Sequence, residues 1–290
     1  MDKPDALMPP APRGPSKPLP KGACDAHVHL VAGLDEYTLW EGRVENPAPG
    51  PDFAQWMNLY RQHLETMGFE RGVIVHSILY GTDNSVTVEA VRQMGDGFRG
   101  VGLLPDDADE SALDQFARWN MCAVRLNYVH GGVLSWDGAK TMAPALADRN
   151  LHIQMLCHAD QHMDQLADDI CALPVPVVFD HIAWPSGPLS AHAAGIDTLC
   201  ALLAEGHVWV KLSALYRMCE APYTDAAELV ARLVKANPER CLWGSDWPHL
   251  MLNGASMPHA ADLLDALGAV VSDADRHAIL VDNPARLFGF

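Results

Sequence analysis

The sequence has little positive charge and no long apolar run. Lysine and arginine number 20, against 37 aspartate and glutamate residues, which gives a formal net charge of −17. Nucleic-acid phosphates and anionic membrane surfaces are contacted through clustered basic side chains, so we expect neither as a partner. No stretch approaches the roughly 18 continuous apolar residues that a membrane-spanning helix needs. We therefore expect a small-molecule ligand.

The cysteines also lack the spacing of a disulfide framework or a metal knuckle. There are seven of them, no two form a Cys-x-x-Cys pair, and an odd number favours reduced thiols. The first twenty residues contain no apolar segment of the kind that opens an export signal. These absences predict a cytoplasmic protein.

Proline is concentrated at the start of the chain. Residues 1–20 hold seven prolines, which interrupt helix formation and predict either an extended arm over the domain or a disordered tail. The remaining residues, 21–290, are expected to form one domain, because a chain with 49% hydrophobic residues can bury a single large core.

From residue 24 onward, short β-rich runs alternate about eight times with longer runs of helical period. Strands are predicted at residues 24–30, 72–77, 100–104, 122–126, 152–157, 175–180, 208–212 and 242–246. Helices are predicted near residues 52–67, 85–94, 109–119, 140–149, 160–172, 194–205 and 224–236, with a further helix from 258 and a turn from 284. This alternation predicts an α/β fold, the (β/α)8 TIM barrel. Residues 31–51 are too rich in glycine and proline for a helix and are expected to form a lid, with ordinary loop packing as the alternative.

Two histidines close the first predicted strand. Side chains alternate along a strand, so His27 and His29 should point to the same inward face near the top of the barrel, where ligands bind. Such a pair can bind a metal ion or hold an oxygen atom. An isolated pair is more often a hydrogen-bonded feature of the core.

Titratable groups also end the sixth and eighth predicted strands, at His181 and Asp246. Asp246 can act as a general base toward water or toward a metal-bound water. His181 can orient that water or hold a carbonyl oxygen. For His249, three residues after Asp246, we expect a structural hydrogen-bonding role.

Three further residues predict an anion site at the barrel top. Ser77 closes the second predicted strand, Arg125 lies near the end of the fourth, and Arg217 follows the seventh. The planar guanidinium group fits a carboxylate. An anionic substrate is the favoured interpretation, and pairing of either arginine with an acidic side chain is the alternative.

Four blocks in this order cover nearly the whole chain: residues 25–29 (DAHVH), 179–181 (FDH), 243–249 (WGSDWPH) and 283–288 (NPARLF). Together they resemble the amidohydrolase-2 family of the amidohydrolase superfamily. Within it, the chain is similar to the lactonase branch that includes 2-pyrone-4,6-dicarboxylate hydrolase and related sugar-lactone and muconolactone hydrolases. The resemblance implies a distorted barrel and a hydrolase that opens a cyclic ester in aromatic or sugar-acid catabolism.

The resemblance also implies residue roles. Asp246 would deprotonate the attacking water and later protonate the leaving oxygen, and the carbonyl would be polarised by His27, His29 and His181. The substrate carboxylate would be bound by Ser77, Arg125 and Arg217. The pyrone-dicarboxylate hydrolases carry another arginine shortly after the fourth strand, where residues 127–132 here offer only His130. A second substrate carboxylate is therefore not implied.

Metal use is left open by the resemblance, because amidohydrolases commonly bind one or two divalent ions whereas the pyrone hydrolase type works without one. The fifth predicted strand offers no unambiguous ligand, and the fourth has no bridging lysine, so a two-metal site is not expected. We expect that no metal is required and that the arginines and histidines assist the reaction. The alternative is one divalent ion, zinc or manganese, bound by His27, His29 and Asp246.

The expected partner is a small anionic ring substrate, and the chain is expected to be a monomer or a homodimer. One alternative function is a metal-dependent non-oxidative decarboxylase of an aromatic or enoic acid. Another is a barrel that binds ligand without turnover. Metal dependence and release of carbon dioxide separate the decarboxylase from the lactonase.

Overall fold

A computed structural model describes residues 3–187 and 189–290 of the chain. Its parallel strands follow one another around a barrel in the order β1 to β8, and each pairs with the next. The strands are β1 (Cys24–Val28), β2 (Arg71–Val75), β3 (Phe98–Gly102), β4 (Met121–Asn127), β5 (His152–Leu156), β6 (Val177–Phe179), β7 (Val208–Ser213) and β8 (Cys241–Gly244). A parallel bridge between Val28 and Trp247 brings the end of β8 back to β1. The predicted (β/α)8 barrel is confirmed in this nearly closed form.

Helices surround the strands. They are α1 (Phe53–Met67), α2 (Ser85–Met94), α3 (Glu110–Arg118), α4 (Trp136–Ala147), α5 (Ala159–Ala172), α6 (Ile196–Glu205), α7 (Ala227–Ala236), α8 (Ala260–Val270), α9 (Asp273–His277) and α10 (Asn283–Phe288). The α1 helix shows why the sequence pattern works. Asp52 and Gln55 form a reciprocal cap at its start, and its buried face includes Trp56, Tyr60 and Leu64.

The strands that carry the predicted site end earlier than expected. β6 ends at Phe179 and β8 at Gly244, so His181 and Asp246 lie in the turns that follow. Both residues have left-handed backbone angles, with φ of 56° and 61°, which are incompatible with an extended strand. The α4 helix begins four residues earlier than predicted, because the Ser135 side chain caps it by accepting from the backbone N–H of Gly138 at 2.9 Å.

The interior of the barrel has an apolar base and a polar upper part. A buried cluster that includes Val73, Val101, Val178 and Leu242 is formed by strand residues and by Phe288 of the C-terminal helix. Buried polar side chains follow the ends of β2, β6 and β8, among them Ser77, Asp180 and Asp246. In the part of the chain that the structure describes, no helix is both long and apolar enough to cross a membrane.

The proline-rich arm is extended and lies against the barrel. Asp5 forms a parallel bridge with Asn46 of the loop after β1. Further along, the backbone N–H of Ser16 donates to Asp265 of α8 at 2.9 Å, and Arg276 of α9 donates to the carbonyl of Lys17 at 3.0 Å. The division into an arm and a domain at residue 20 stays a prediction.

The loop of residues 31–51 contains no helix, as the sequence predicts. Tyr37 packs edge-on against Phe53 and Tyr80, which is ordinary loop packing. The Glu45 carboxylate accepts from the backbone N–H of Met251 at 2.6 Å, so the loop is connected to the segment that follows β8. A lid function for this loop stays a prediction.

Candidate active site

Three predicted residues converge at the top of the barrel. The Nε2 atoms of His27 and His29 are 3.3 Å apart, and they lie 3.6 and 3.5 Å from Oδ1 of Asp246. All three side chains are buried. Gly244 makes this approach of β8 to β1 feasible, because a Cβ atom there would lie 2.5 Å from the Cβ of His27. The expectation that His27 and His29 share one inward face is confirmed.

His181 completes the group from the turn after β6. Its Nε2 lies 4.0 Å from Oδ1 of Asp246, and its ring centroid is 4.8 Å from that of His27. Burial lowers the pKa of His181 to about 4, so this imidazole is neutral near pH 7. The structure thus brings together all four residues to which the sequence assigns the chemistry.

Each histidine is held through its other nitrogen. Nδ1 of His29 lies 2.8 Å from the carbonyl oxygen of Val75, and Nδ1 of His181 lies 2.9 Å from the hydroxyl of Ser213. Nδ1 of His27 lies 3.1 Å from Oδ1 of Asp180. A carboxylate or carbonyl behind each ligating histidine is the usual support of a metal-binding imidazole.

These anchors determine where the ring protons are. A carbonyl oxygen only accepts, so His29 donates through Nδ1, and its Nε2 carries a lone pair when the ring is neutral. The same holds for His27 where Asp180 is ionised. Burial lowers the pKa of His27 well below its usual value and favours the neutral ring. The Nε2 lone pairs of His27 and His29 then face each other beside Oδ1 of Asp246. This arrangement of donor atoms is suited to binding a cation.

The two oxygens of Asp246 have different surroundings. Oδ2 accepts from the Tyr216 hydroxyl at 2.6 Å and from Arg217 at 2.9 and 3.2 Å. Oδ1, which faces the histidines, has no hydrogen-bond partner within residues 3–187 and 189–290. Burial alone would raise the pKa of Asp246, but the charge of Arg217 and the surrounding histidines together outweigh it and hold that pKa well below its usual value. Asp246 is therefore an oriented carboxylate with one oxygen open to a ligand.

The residues that can ligate a metal ion follow from this geometry. Ligand atoms of His27, His29 and Asp246 all lie within 4.8 Å of one another. Two imidazoles and one carboxylate are a usual donor set for a catalytic zinc site, which keeps a position open for water or substrate. The residues present fit one divalent ion.

The two predicted anion-binding arginines are held very differently. Arg217 donates to Asp246 and also to the carbonyls of Leu250 and Met251, each at 2.8 Å. Arg125 donates from Nη1 to the carbonyl of His76 at 2.7 Å, and its buried Nε finds no acceptor among the residues described. Arg125 also lies near an acidic side chain, since its Nη2 is 3.9 Å from Oδ2 of Asp180, but this distance is too long for a hydrogen bond. Arg217 is thus largely saturated by the protein, whereas Arg125 has donors to spare.

Arg125 borders a narrow cleft whose lining also includes His76, Ile78 and Asn127. The cleft has a volume of about 20 Å³, which is roughly the space of one water molecule. Ser77 lies between two residues of this lining, and its hydroxyl oxygen accepts from the backbone N–H of Leu79 at 3.4 Å. Ser77 and Arg125 therefore belong to the cleft side of the site, and Arg217 belongs to the Asp246 side.

Four buried or nearly buried contributors received no role from the sequence: Asp180, Gln154, Lys211 and Tyr216. A signal existed for two of them. Gln154 and Lys211 are polar residues within otherwise apolar strand runs, and burying an amide or an ammonium group is costly unless it is paired. Asp180 directly precedes His181 in the motif of residues 179–181 (FDH). Nothing in the spacing indicates that Tyr216 reaches Asp246.

Comparison with known proteins gives a family match over most of the chain. The family model described as "Amidohydrolase" matches residues 24–290. The chain is 32% identical to 4-sulfomuconolactone hydrolase of Rhizobium radiobacter, over 96% of this chain and 95% of that protein. It is 30% identical to 2-pyrone-4,6-dicarboxylate hydrolase of Comamonas testosteroni, over 94% of this chain and 93% of that protein.

The fold is also similar to solved structures. A ligand-free crystal structure of an Agrobacterium tumefaciens protein superposes with a TM-score of 0.81 at 21% identity and covers 97% of this chain and 98% of that chain. At this level of identity, the likeness supports the barrel architecture alone.

Proposed function

The chain belongs to the amidohydrolase family, and from this premise we propose that it is a hydrolase that opens a small lactone carrying an anionic substituent. One observation carries the proposal. Oδ1 of Asp246, which has no hydrogen-bond partner among the described residues, faces three imidazoles, and Arg125 lies at the same end of the barrel with a buried Nε that has no acceptor there. The names of the relatives, a sulfonated muconolactone hydrolase and a pyrone-dicarboxylate hydrolase, support an anionic ring substrate.

We also propose one divalent ion, zinc or manganese, held by His27, His29 and Asp246. The opposed lone pairs of the two histidines and the unpartnered Oδ1 of Asp246 support it. Such an ion, when bound, would polarise the lactone carbonyl and lower the pKa of a water molecule. The geometry favours a bound ion. The expectation that no metal is required stays a prediction.

The proton transfers of the reaction would be carried out by side chains of the protein. Each carboxylate oxygen has two lone pairs, so Oδ1 of Asp246 would accept a proton from water on the lone pair that the ion would leave free, as the water oxygen attacks the carbonyl carbon of the ring. The bond between that carbon and the ring oxygen then breaks, and Asp246 returns the proton to the leaving oxygen. A saturated ring yields a hydroxy acid, and a ring whose oxygen is attached to a C=C bond yields an enol acid, the tautomer of a keto acid. Tyr216 and Arg217 bond only to Oδ2, so they hold the carboxylate in place without occupying the reacting oxygen.

His181 has a different role in this proposal from the other two histidines. The Ser213 hydroxyl can donate to Nδ1 of His181, since the two atoms are 2.9 Å apart. Nε2 of the neutral ring then carries the proton and can donate to the carbonyl oxygen as negative charge develops on it.

Arg125 would hold the anionic substituent of the substrate. Its unused donors and the cleft it borders support this role. Arg217 donates instead to Asp246 and to two carbonyls. With one arginine for the substrate, a single anionic group at this position is the simplest match, and Ser77 lies close enough in the chain to contribute a hydroxyl.

A metal-replacement experiment tests the proposal. Protein stripped with a chelator is reloaded with zinc or manganese and assayed by pH-stat against a panel of carboxylated and sulfonated lactones. We expect acid release by the loaded protein and at least a tenfold loss in the stripped protein. Full activity of the stripped protein would contradict the metal and support the metal-independent expectation. Release of carbon dioxide from aromatic or enoic acids, with no lactone hydrolysed, would overturn the function in favour of a decarboxylase.

A further inference from the structure

The turn after β6 has an unusual backbone. Four consecutive residues have positive φ angles, of 56°, 51°, 55° and 30°: His181, Ile182, Ala183 and Trp184. Left-handed conformations are unfavourable for residues with a Cβ atom and normally occur one residue at a time. Pro185 follows, and a proline favours an extended conformation at the residue before it. The sequence of the turn therefore opposes its conformation, and contacts from outside the turn must impose it.

The turn is held at both ends by side chains of neighbouring elements. At its start, Nδ1 of His181 lies 2.9 Å from the hydroxyl of Ser213, the last residue of β7. At its end, the backbone carbonyl of Trp184 lies 2.7 Å from Nδ1 of His158. A carbonyl oxygen only accepts, so Nδ1 of His158 donates this hydrogen bond. His158 has no part in the reaction described above.

His158 is itself held in place between β5 and α5. Its backbone N–H donates to Nδ1 of His162 in the first turn of α5, at 3.1 Å. Its ring packs edge-on against Trp184, with ring centroids 5.4 Å apart. Trp184 packs edge-on in turn against His181, with ring centroids 6.4 Å apart. A continuous series of contacts therefore connects the end of β5 with the imidazole of His181 at the barrel mouth.

We propose that His158 is a positioning residue, which holds the left-handed turn closed through the carbonyl of Trp184 and so directs Nε2 of His181 toward the substrate carbonyl. Without this hydrogen bond, the turn relaxes toward the right-handed or extended conformations that its residues prefer. His181 then points elsewhere, and the developing negative charge loses a donor. The inference rests on the role of His181 in the proposed function, but not on the metal or on the identity of the lactone.

A matched pair of substitutions tests the proposal by steady-state kinetics. Asparagine carries an N–H₂ group on Cγ, where histidine carries Nδ1, so His158→Asn keeps a donor, whereas His158→Leu is of similar size and has none. In His158→Leu we expect kcat to fall about tenfold or more with little change in KM, because His181 acts on charge that develops in the transition state. His158→Asn should recover most of the lost kcat. Unchanged kcat in His158→Leu, or equal losses in both variants, would overturn the proposal.

A double variant and a control separate positioning from a general loosening of this region. Because His158 acts through His181, adding His158→Leu to His181→Gln should lower kcat no further, and losses that multiply would contradict the proposal. Gln161 of α5 is exposed and donates to the hydroxyl of Ser186, two residues beyond the turn, at 2.6 Å. Gln161→Leu removes this neighbouring contact and should keep the kcat of the wild type. A loss as large as in His158→Leu would show that the effect is not specific to the turn and would overturn the proposal.

The turn can also be observed without a lactone. Residues 182 and 183 are the one Ile-Ala pair in the sequence. Protein labelled with ¹³C at the isoleucine carbonyl and with ¹⁵N at alanine therefore gives a single carbonyl–amide cross-peak, from the middle of the turn. We expect this cross-peak at the same position in the wild type, His158→Asn and Gln161→Leu, and shifted or broadened in His158→Leu. An identical cross-peak in His158→Leu would overturn the proposal.

A measurement on the wild type covers the case in which His158→Leu does not fold. Long-range ¹H–¹⁵N spectra of protein with labelled histidine show which ring nitrogen carries a proton, and His158→Asn identifies the signals of His158. We expect a proton on Nδ1 of His158, and an unprotonated Nδ1 would overturn the proposal. Neither spectrum uses a substrate, so absence of lactone hydrolysis by the wild type would reject the proposed function and leave the test of the turn intact.

Discussion

Arg217, on the β7–β8 side of the barrel mouth, donates to Asp246 and to two backbone carbonyls, whereas Arg125, on the β4 side, donates to one carbonyl. Both arginines follow or end strands of the same barrel, and both were expected to bind a substrate carboxylate. The difference lies in their acceptors. A guanidinium group saturated by the protein orients a protein carboxylate, and one with free donors beside a cleft is available to a ligand. We therefore propose that the Arg217 side serves the reaction and that the Arg125 side serves recognition.

The largest effect is expected on the reaction side. Asp246→Asn keeps the size of the side chain but removes the proton acceptor, so kcat should fall about 100-fold or more while KM stays nearly constant. Steady-state kinetics on the best lactone measures both. The exposed Asp273→Asn variant of α9 is the control and should behave as the wild type. A kcat within a few-fold of the wild type would remove Asp246 from its assigned role.

The next effect belongs to the recognition side. Arg125→Met removes the charged donors beside the cleft, and a hydrogen bond to a charged group is worth about 1.5–3 kcal/mol. We expect KM for an anionic lactone to rise about 10- to 100-fold, with a smaller change in kcat. An unaltered KM would show that the anion is bound elsewhere.

Arg217→Met distinguishes the two sides most sharply. It leaves the buried Asp246 with Tyr216 as its remaining Oδ2 donor, so we expect kcat to fall about tenfold with little change in KM. Removing one partner of a buried ion pair should also lower the free energy of unfolding by about 3–5 kcal/mol. The exposed Arg286→Met, which breaks a surface pair with Glu239, is the control for both measurements. A raised KM with kcat intact would instead restore the carboxylate-binding role that the resemblance implies for Arg217.

The smallest effect is expected in the pH dependence of the free energy of unfolding, through His76 on the recognition side. Burial lowers the pKa of His76 to about 4, so between pH 6.5 and 4 the unfolded chain takes up a proton that the folded chain does not. Stability due to this group is therefore lost as pH falls, by about 1.4 kcal/mol per pH unit. Denaturant unfolding of chelator-treated protein should show a flatter pH dependence for His76→Gln than for the wild type. The exposed His192→Gln should keep the wild-type slope, and equal slopes for all three proteins would refute the assignment.

The sequence predicted the barrel and the convergence of the four residues to which it assigns the reaction. This was possible because the hydrophobic period of an element, and the position of a residue along a strand, are local properties of the sequence. Alternation in the first strand indicates that His27 and His29 share a face. The ends of parallel strands meet at one edge, which brings in His181 and Asp246. The strand boundaries were less accurate, since the left-handed turns at His181 and Asp246 are imposed by packing rather than by local propensity.

Partners across the barrel were not predictable from spacing. The alternative that an arginine pairs with an acidic side chain was recognised, but the sequence does not indicate that Arg217 meets Asp246, because no periodicity relates the loop after β7 to the turn after β8. Gln154 likewise bonds to residues distant in the chain: it donates to Asp180, 26 residues away, and accepts from Lys211, 57 residues away. The sequence shows only a lysine within an apolar strand, which predicts a buried partner without identifying it.

The most direct test of the division between the two sides compares a carboxylated lactone with its methyl ester. The ratio of their kcat/KM values measures how strongly the enzyme prefers the anion. We predict that the wild type and Arg217→Met both prefer the carboxylate, and that in Arg125→Met the ratio falls to about one. A preference that survives in Arg125→Met, or that disappears in Arg217→Met, would contradict the account.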